Sequence, residues 1–297
     1  MKLLKHVKLS SFTTIGVGGT ARYFCEPKNI EDIIHVLLFA LDKGLEVFPL
    51  GRGANTIFGD FDGIVLNLRR LRGIRIQKAD ETFLIEAMAG EPLSELVKLS
   101  IEENLEGLYR LAGFPATVGG AVAMNAGAFG YEIRKNLLEV KFLDWEGRPH
   151  RVKVKELDFS YRSSPFPELG FVVSALFEVP KAEVSVKEQH RAIVKKRKQT
   201  QPINMPTSGS TFKNPPEDYA GRLLEKVGMK GYRLGQVAFS DIHANFLVNL
   251  GGGTYTQVVR IIEEAKRRVF EEFGIILEEE VRLVEGSGAY GRKVHRT

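Results

Sequence analysis

Residues 112–130 read AGFPATVGGAVAMNAGAFG, five glycines among small or apolar neighbours with a single amide side chain, Asn125. Glycine has no Cβ, so such a stretch lets backbone approach a ligand more closely than bulkier residues would allow. A second glycine loop, GRGANT at residues 51–56, follows the strand-like run EVFPL. Backbone N–H groups bared in this way can converge on an anion, and the plain alternative is a set of tight turns. A flat, mostly apolar cofactor carrying a diphosphate would suit two such loops together. A third cluster, GVGGTA at residues 16–21, spells G-x-G-x-x-A, but the ARYF that completes it looks extended where a dinucleotide fingerprint requires a helix. GRGANT is not a Rossmann loop either, because Gly59 and Gly63 leave no room for a helix of ordinary length.

A chain of 297 residues, 43% hydrophobic and 27% charged, is long enough for about two domains and a sizeable core. The single cysteine, Cys25, excludes an internal disulfide framework and fits a reducing, cytoplasmic compartment. Neither a leader at Met1 nor a membrane-spanning apolar run is evident, so export and membrane insertion are not expected. The net charge of +5 is mild, and an anionic small molecule accounts for it. The densest basic run, RAIVKKRK at residues 191–198, lacks interleaved aromatics and reads as a solvated helix face rather than a nucleic-acid contact.

Periodicity predicts a helix after Asn29 that ends at Gly44, a strand over residues 46–50, and short alternating runs at 63–67 and 82–89. A helix over 91–104, strands over 137–143 and 171–178, and the basic helix near 187–198 follow. TQPINMPTSG, residues 200–209, is the best linker by its proline and small polar content. Beyond it come a helix near 218–227, a strand over 244–250 and a helix over 254–273 opened by a T-x-x-Q capping box at Thr254 and Gln257. This is α+β texture rather than a repeated strand-helix unit.

SGSTFKNP, residues 208–215, puts Ser210 and Lys213 in an S-x-x-K arrangement that some acyl transferases use for a nucleophile. That chemistry needs the lysine one helical turn from the serine, and the prolines that follow disfavour a helix. A serine can instead donate a proton to a carbanion, which needs placement rather than a triad.

Taken in order, GRGANT, the 112–130 loop, YRSS at 161–164, SGSTFKNP, AGRLLEKVGMKG at 220–231, FSDIHANFLVN at 239–249 and EVR at 280–282 run through nearly the whole chain. Their order and spacing resemble the UDP-N-acetylenolpyruvoylglucosamine reductase family, flavoenzymes of bacterial cell-wall precursor synthesis. The resemblance implies an α+β fold: a two-subdomain FAD-binding region of the vanillyl-alcohol/p-cresol oxidase type, followed by a C-terminal α+β substrate domain. It implies subdomains at 1–65 and 66–199 and a substrate domain at 200–297, with a return of the last dozen residues to the first subdomain left open. The short span between Asn214 and Gly231 looks like the family form that lacks an inserted tyrosine loop. This chain departs from the common pattern at Ala54, Ala116 and Glu279. The sugar and alcohol oxidases of the same fold, the competing flavoenzyme class, often tether FAD through a histidine that GRGANT does not carry.

By the same resemblance, FAD would be lined by Gly51, Arg52, Gly53, Ala54, Asn55, Thr56, Gly113, Thr117, Gly119, Gly120, Asn125 and Gly127. NADPH would reduce the flavin, leave, and be replaced by UDP-N-acetylglucosamine enolpyruvate, whose methylene carbon receives hydride. Negative charge then develops beside the substrate carboxylate, so the site needs cationic groups and an acid. Arg162 would hold the carboxylate and Ser210 would donate the proton. Glu280, selected by the E-V-R pattern, would be protonated or hold a water or an arginine; on an extended strand it shares a face with Glu278 and Arg282. Tyr161, Lys213, Asn214 and His243 would contact the substrate. No metal site and no nucleic-acid or membrane partner is expected, and the protein is expected to be a monomer.

Overall fold

The computed structural model describes residues 2–286 and the backbone of Arg292–Lys293. The amino-terminal strands β1 (Leu4–Lys8), β2 (Thr20–Cys25), β3 (Glu46–Leu50) and β4 (Thr56–Asn67) lie in the order β1-β2-β4-β3. Helix α1 (Ile30–Lys43) carries the chain from β2 to β3, so that both run parallel to β4. Its ends are written locally. The Asn29 side chain accepts from the Asp32 N–H at 2.8 Å, and Gly44 adopts the left-handed conformation that stops the helix.

The long strand β4 absorbs the alternating run expected at 63–67 and reaches back to Thr56, so the expected boundary at 65/66 falls inside a strand. Its length lets two strands share one of its edges. The second half pairs with β3, and the first half with β16 (Arg282–Gly286), which arrives from the far end of the chain and runs parallel. The short β17 (Arg292–Lys293) pairs antiparallel with β3; the other residues beyond Gly286, for which a return to this sheet was left open, lie outside the described residues.

A second sheet is fully antiparallel. It holds β5 (Ile74–Ala79), β6 (Thr82–Met88), β9 (Leu137–Asp144), β10 (Pro149–Lys153) and β11 (Gly170–Pro180) in the order β10-β9-β11-β6-β5. Between β6 and β9 the chain forms α2 (Leu93–Glu102), α3 (Val118–Ala123) and a minimal hairpin of β7 (Gly127–Ala128) with β8 (Tyr131–Glu132). After β10 come α4 (Phe166–Leu169), leading into β11, and then α5 (Val186–Thr200). One continuous apolar cluster joins Ile33, Val36 and Ile64 of the first sheet layer to Ile85, Val140 and Phe177 of the second.

Beyond α5 a third sheet has β12 (Thr207–Ser210), β13 (Arg233–Leu234), β14 (Val237–Phe239) and β15 (Phe246–Asn249) in the order β12-β15-β14-β13, flanked by α6 (Ala220–Lys226) and α7 (Tyr255–Phe273). The capping box opening α7 forms as its sequence dictates. This layer has its own core of Leu223, Phe239, Leu247 and Ile261, yet Ile15, Val17 and Ile57 from the first sheet region complete it. Asn249 fastens that junction. Its amide donates to the Ile15 carbonyl at 3.0 Å and accepts from the N–H groups of Gly251 and Gly253, both at 3.0 Å. No helix among the described residues is long and apolar enough to cross a membrane.

Truncating Asn249 to alanine leaves the buried Ile15 carbonyl without its partner, at a cost of about 1–3 kcal/mol, and frees two turn N–H groups that lie nearer solvent. We expect Asn249→Ala to lower the unfolding free energy measured by urea titration by about 1–3 kcal/mol, whereas the exposed Leu250→Ala should leave it nearly unchanged.

Candidate active site

The turn between β3 and β4 is GRGANT, and the stretch before β16 is LEEEV, so the split edge of β4 sets residues 51–56 beside Glu280. The Asn55 side chain donates to the Glu280 carbonyl at 2.8 Å, and the Arg282 N–H donates to the Asn55 carbonyl at 2.9 Å. The third sheet is tied to the same place, because the Glu280 N–H donates to the Thr211 carbonyl at 2.8 Å, one residue beyond Ser210. Glycine is obligatory at two points of this turn. Gly53 has φ +65°, and a Cβ there would sit 2.2 Å from the Phe12 carbonyl; a Cβ on Gly51 would sit 2.4 Å from Thr117 Oγ1. Thr117 caps α3 through the Gly120 N–H at 3.3 Å, so the two glycine loops lock against each other.

A cavity of about 570 Å³ opens along this lock. Gly51, Arg52, Gly53, Ala54, Asn55 and Thr56 form one wall, and Gly113, Thr117, Gly119, Gly120 and Gly127 another. Phe48, Leu50, Leu68, Phe171 and Val172 make much of the rest apolar, and Arg162, Ser210, Glu280 and Arg282 line it as well. Asn125 does not line it. It is fully buried behind the loop, where its amide donates to the Ser160 carbonyl at 2.8 Å and so ties residues 112–130 to the segment that carries Arg162.

Arg162 is held rather than free. Its Nε donates to Glu280 Oε1 at 3.0 Å and its Nη2 to the Gly127 carbonyl at 2.7 Å, while the Tyr161 ring lies 4.8 Å beneath the guanidinium. Its φ of +55° is a conformation that costs a non-glycine residue about 1–3 kcal/mol and that persists where the surroundings impose it. Two of its five N–H donors are committed, which leaves the others for an incoming anion. Glu280 is partly buried, and the desolvation pushes its pKa above the usual carboxylate range, against the opposing charge and hydrogen bond of Arg162 and the charge of Lys213. Residues 278–282 do not form the single strand that alternation suggested. Glu279 makes an isolated bridge to Phe212, the chain bends at Glu280, and β16 starts only at Arg282. Glu278 therefore points to solvent and pairs with Lys213, Glu279 pairs with Lys266 at 2.8 Å, and Glu280 alone turns inward.

A smaller cavity of about 330 Å³, lined by Asn214, Tyr219, Arg222 and His243, meets the first at Ser210, which lines both. Among the described residues the Ser210 hydroxyl has no hydrogen-bond partner. Lys213 lines neither cavity and its ammonium is taken by Glu278, so the S-x-x-K spacing builds no serine-lysine dyad. Tyr161 also lines neither cavity. Asn214 accepts from the Ala220 N–H at 3.1 Å, opening α6, and still faces the second cavity. His243 lies at the same wall, with burial lowering its pKa and its Nδ1 accepting from the Asn245 N–H at 3.2 Å.

Among the cavity residues that the sequence does not single out is a buried cation. Arg197, in the basic run taken for a solvated face, is only 8% exposed and lines the first cavity. No periodicity marks it, because its burial comes from Phe114 and Phe129, far away in sequence.

The walls suit an elongated dinucleotide with an apolar ring system and an anionic middle. Apolar side chains line one part, glycine-rich backbone another, and the buried Ser208 hydroxyl and Arg197 Nε and Nη2 at the wall have no protein partner. Residues 21–153 match the family model of an FAD binding domain. Fold and cavity thus define an FAD-dependent oxidoreductase, with a two-subdomain α+β flavin region and a further α+β layer. Residues 201–284 match the model described as the C-terminal domain of UDP-N-acetylenolpyruvoylglucosamine reductase. The chain is 51% identical over 294 residues to the UDP-N-acetylenolpyruvoylglucosamine reductase of Aquifex aeolicus, covering 99% of each, and 37% identical to that of a Synechococcus strain, covering 94% of this chain and 90% of the relative. The crystal structure of the Thermus caldophilus reductase superposes with a TM-score of 0.78 at 31% identity, over 96% of this chain and 99% of that one. The chain belongs to the UDP-N-acetylenolpyruvoylglucosamine reductase family.

Because burial raises the pKa of Glu280 above its unfolded value, its contribution to stability is fully present below the unfolded pKa and is lost as pH rises through the folded one. Urea unfolding of wild type and Glu280→Gln between about pH 4 and pH 8 should therefore show wild type losing ground to the variant as pH rises. The opposite slope would mean that Arg162 dominates burial.

Proposed function

We propose that this protein reduces UDP-N-acetylglucosamine enolpyruvate to UDP-N-acetylmuramate, with FAD as cofactor and NADPH as hydride donor, in peptidoglycan precursor synthesis in the cytoplasm. The observation that carries the reading is the convergence of Arg162, Glu280 and Ser210 where the flavin cavity opens into the second pocket. Bound FAD supplies the hydride-transfer chemistry that no side chain can.

The protein's residues do the rest. Arg162 is the carboxylate anchor. Its fork is aimed by Glu280 and the Gly127 carbonyl, and its spare donors meet the substrate carboxylate as charge spreads into it. Glu280 is a positioning residue for that guanidinium, and its raised pKa limits the negative charge it sets beside the forming enolate. Ser210, free of any base, gives its proton to the carbon next to the carboxylate and is recharged from solvent through the second pocket. That pocket, with Asn214 and His243, takes the nucleotide end of the substrate, and Lys213 strengthens the positive field from behind Glu280. Residues 1–65 and 66–199 are read as the flavin subdomains and 200–297 as the substrate domain; the second sheet lies within 66–199 and the third within 200–297, while β4 crosses the first boundary and β16 and β17 return to the first sheet. With so short a connection from Asn214 to α6, no inserted loop covers the nucleotide.

The purified protein should show a flavin band that bleaches under anaerobic NADPH and returns on adding UDP-N-acetylglucosamine enolpyruvate. Bleaching with no return would refute the substrate. In Ser210→Ala, reduction by NADPH should keep its rate while reoxidation by substrate falls about 10²–10⁴-fold; an equal loss in both half-reactions would remove the proton-donor role.

A further inference from the structure

Arg197 stands near the end of α5 with its guanidinium 4.5 Å from the Phe114 ring centroid and 5.3 Å from that of Phe129. Its Cδ would lie 3.2 Å from a Cβ on Gly113, so glycine there makes room for it. Nη1 donates to Gln201 Oε1 at 2.9 Å, but Nε and Nη2 have no partner, and no carboxylate among the described residues pairs with the charge. A second cation adds to the field, since Lys196 Nζ lies 5.5 Å from the Phe129 centroid. Burial pushes the Arg197 pKa down to about 10, which still leaves it charged at neutral pH. Buried cations in proteins are normally paired, and two aromatic faces and one amide only partly replace a counter-ion.

We propose that the missing counter-ion is a phosphate oxygen of a nucleotide bound in the large cavity, and that Arg197 is a phosphate-binding residue of this enzyme. Arg197 belongs to the cavity wall at the Gly113 end of the 112–130 loop, and the same loop runs on to Thr117, where it meets Gly51. Arg162 lines the same cavity but is committed to Glu280 and the Gly127 carbonyl, whereas the free donors of Arg197 have no protein acceptor. A planar fork gripped by two aromatic rings offers its donors without rotamer loss, which favours Arg over Lys at this position. The assignment rests on the flavin reading of the cavity. Two phosphates could be the source: the diphosphate of FAD, or a phosphate of NADPH.

The test uses apoprotein titrated with FAD, FMN and riboflavin, followed by quenching of flavin fluorescence, for wild type, Arg197→Met, Arg197→Lys and Arg197→Gln. Circular dichroism and thermal melting select the variants that keep the fold. We expect FAD binding to weaken about 10–100-fold in Arg197→Met, as loss of one charge-assisted hydrogen-bonding group does. Riboflavin should be unaffected and Arg197→Lys should recover part of the loss. Unchanged FAD affinity with weakened binding of NADPH, measured on FAD-loaded protein, would keep the phosphate role and assign it to the second nucleotide. Equal weakening of riboflavin and FAD would show that Arg197 only packs the aromatic shelf, and unchanged affinity for all of these ligands would likewise overturn the proposal. Wild type that binds no FAD would refute the flavin reading itself, and the proposal with it.

Discussion

The ion pair between Arg162 and Glu280 joins residues 118 apart in sequence, and each comes from a different part of the molecule. Arg162 leaves the second-sheet region in a left-handed turn, and Glu280 precedes a strand that returns to the first sheet. Both side chains are partly buried, and removing either partner would leave the other charge uncompensated, which is more costly than the pair. The pair therefore makes the sheet arrangement and the site interdependent. If β16 did not share the edge of β4, Arg162 would lose its partner and the glycine loop would lose Asn55's contact to Glu280.

A second consequence is that the site is assembled mainly from backbone. The lock between Gly51 and Thr117, the Asn55 bridges and the Thr211 to Glu280 hydrogen bond all use main-chain groups on at least one side. Glycine and alanine keep much of the wall free of long side chains, and Arg162 and Glu280 at its edge hold each other. Asn125 and Tyr161 belong to this supporting layer: one ties the 112–130 loop to Ser160, the other underlies the Arg162 guanidinium. Both are expected as ligand contacts; in the structure Asn125 is buried behind the loop, and Tyr161 is exposed and lines neither cavity.

Much of the fold was legible because its signals are local. Asn29, Gly44 and the Thr254 capping box mark helix ends through bonds made within a turn or two, and strand alternation reports a buried face directly. The glycine loops were legible for a similar reason: a positive φ or a close approach leaves few residue types to choose from. Alternation failed at residues 278–282, where one bridge to Phe212 and a bend replace a continuous strand and send three adjacent glutamates to three different partners. It failed again at Arg197, whose burial depends on two phenylalanines about 70 to 80 positions earlier in the chain, a contact no helical pattern encodes.

By itself the sequence determined the element types, the two loops that must be glycine, and, through the order of its motifs, the family. Which carboxylate faces the arginine, that Ser210 stands between two cavities with its hydroxyl free, and that one cation of a basic helix is turned inward were decided only in three dimensions. The reason is physical. Propensity and glycine's conformational freedom act over a few neighbouring residues, while burial and charge pairing depend on groups that only folding brings together.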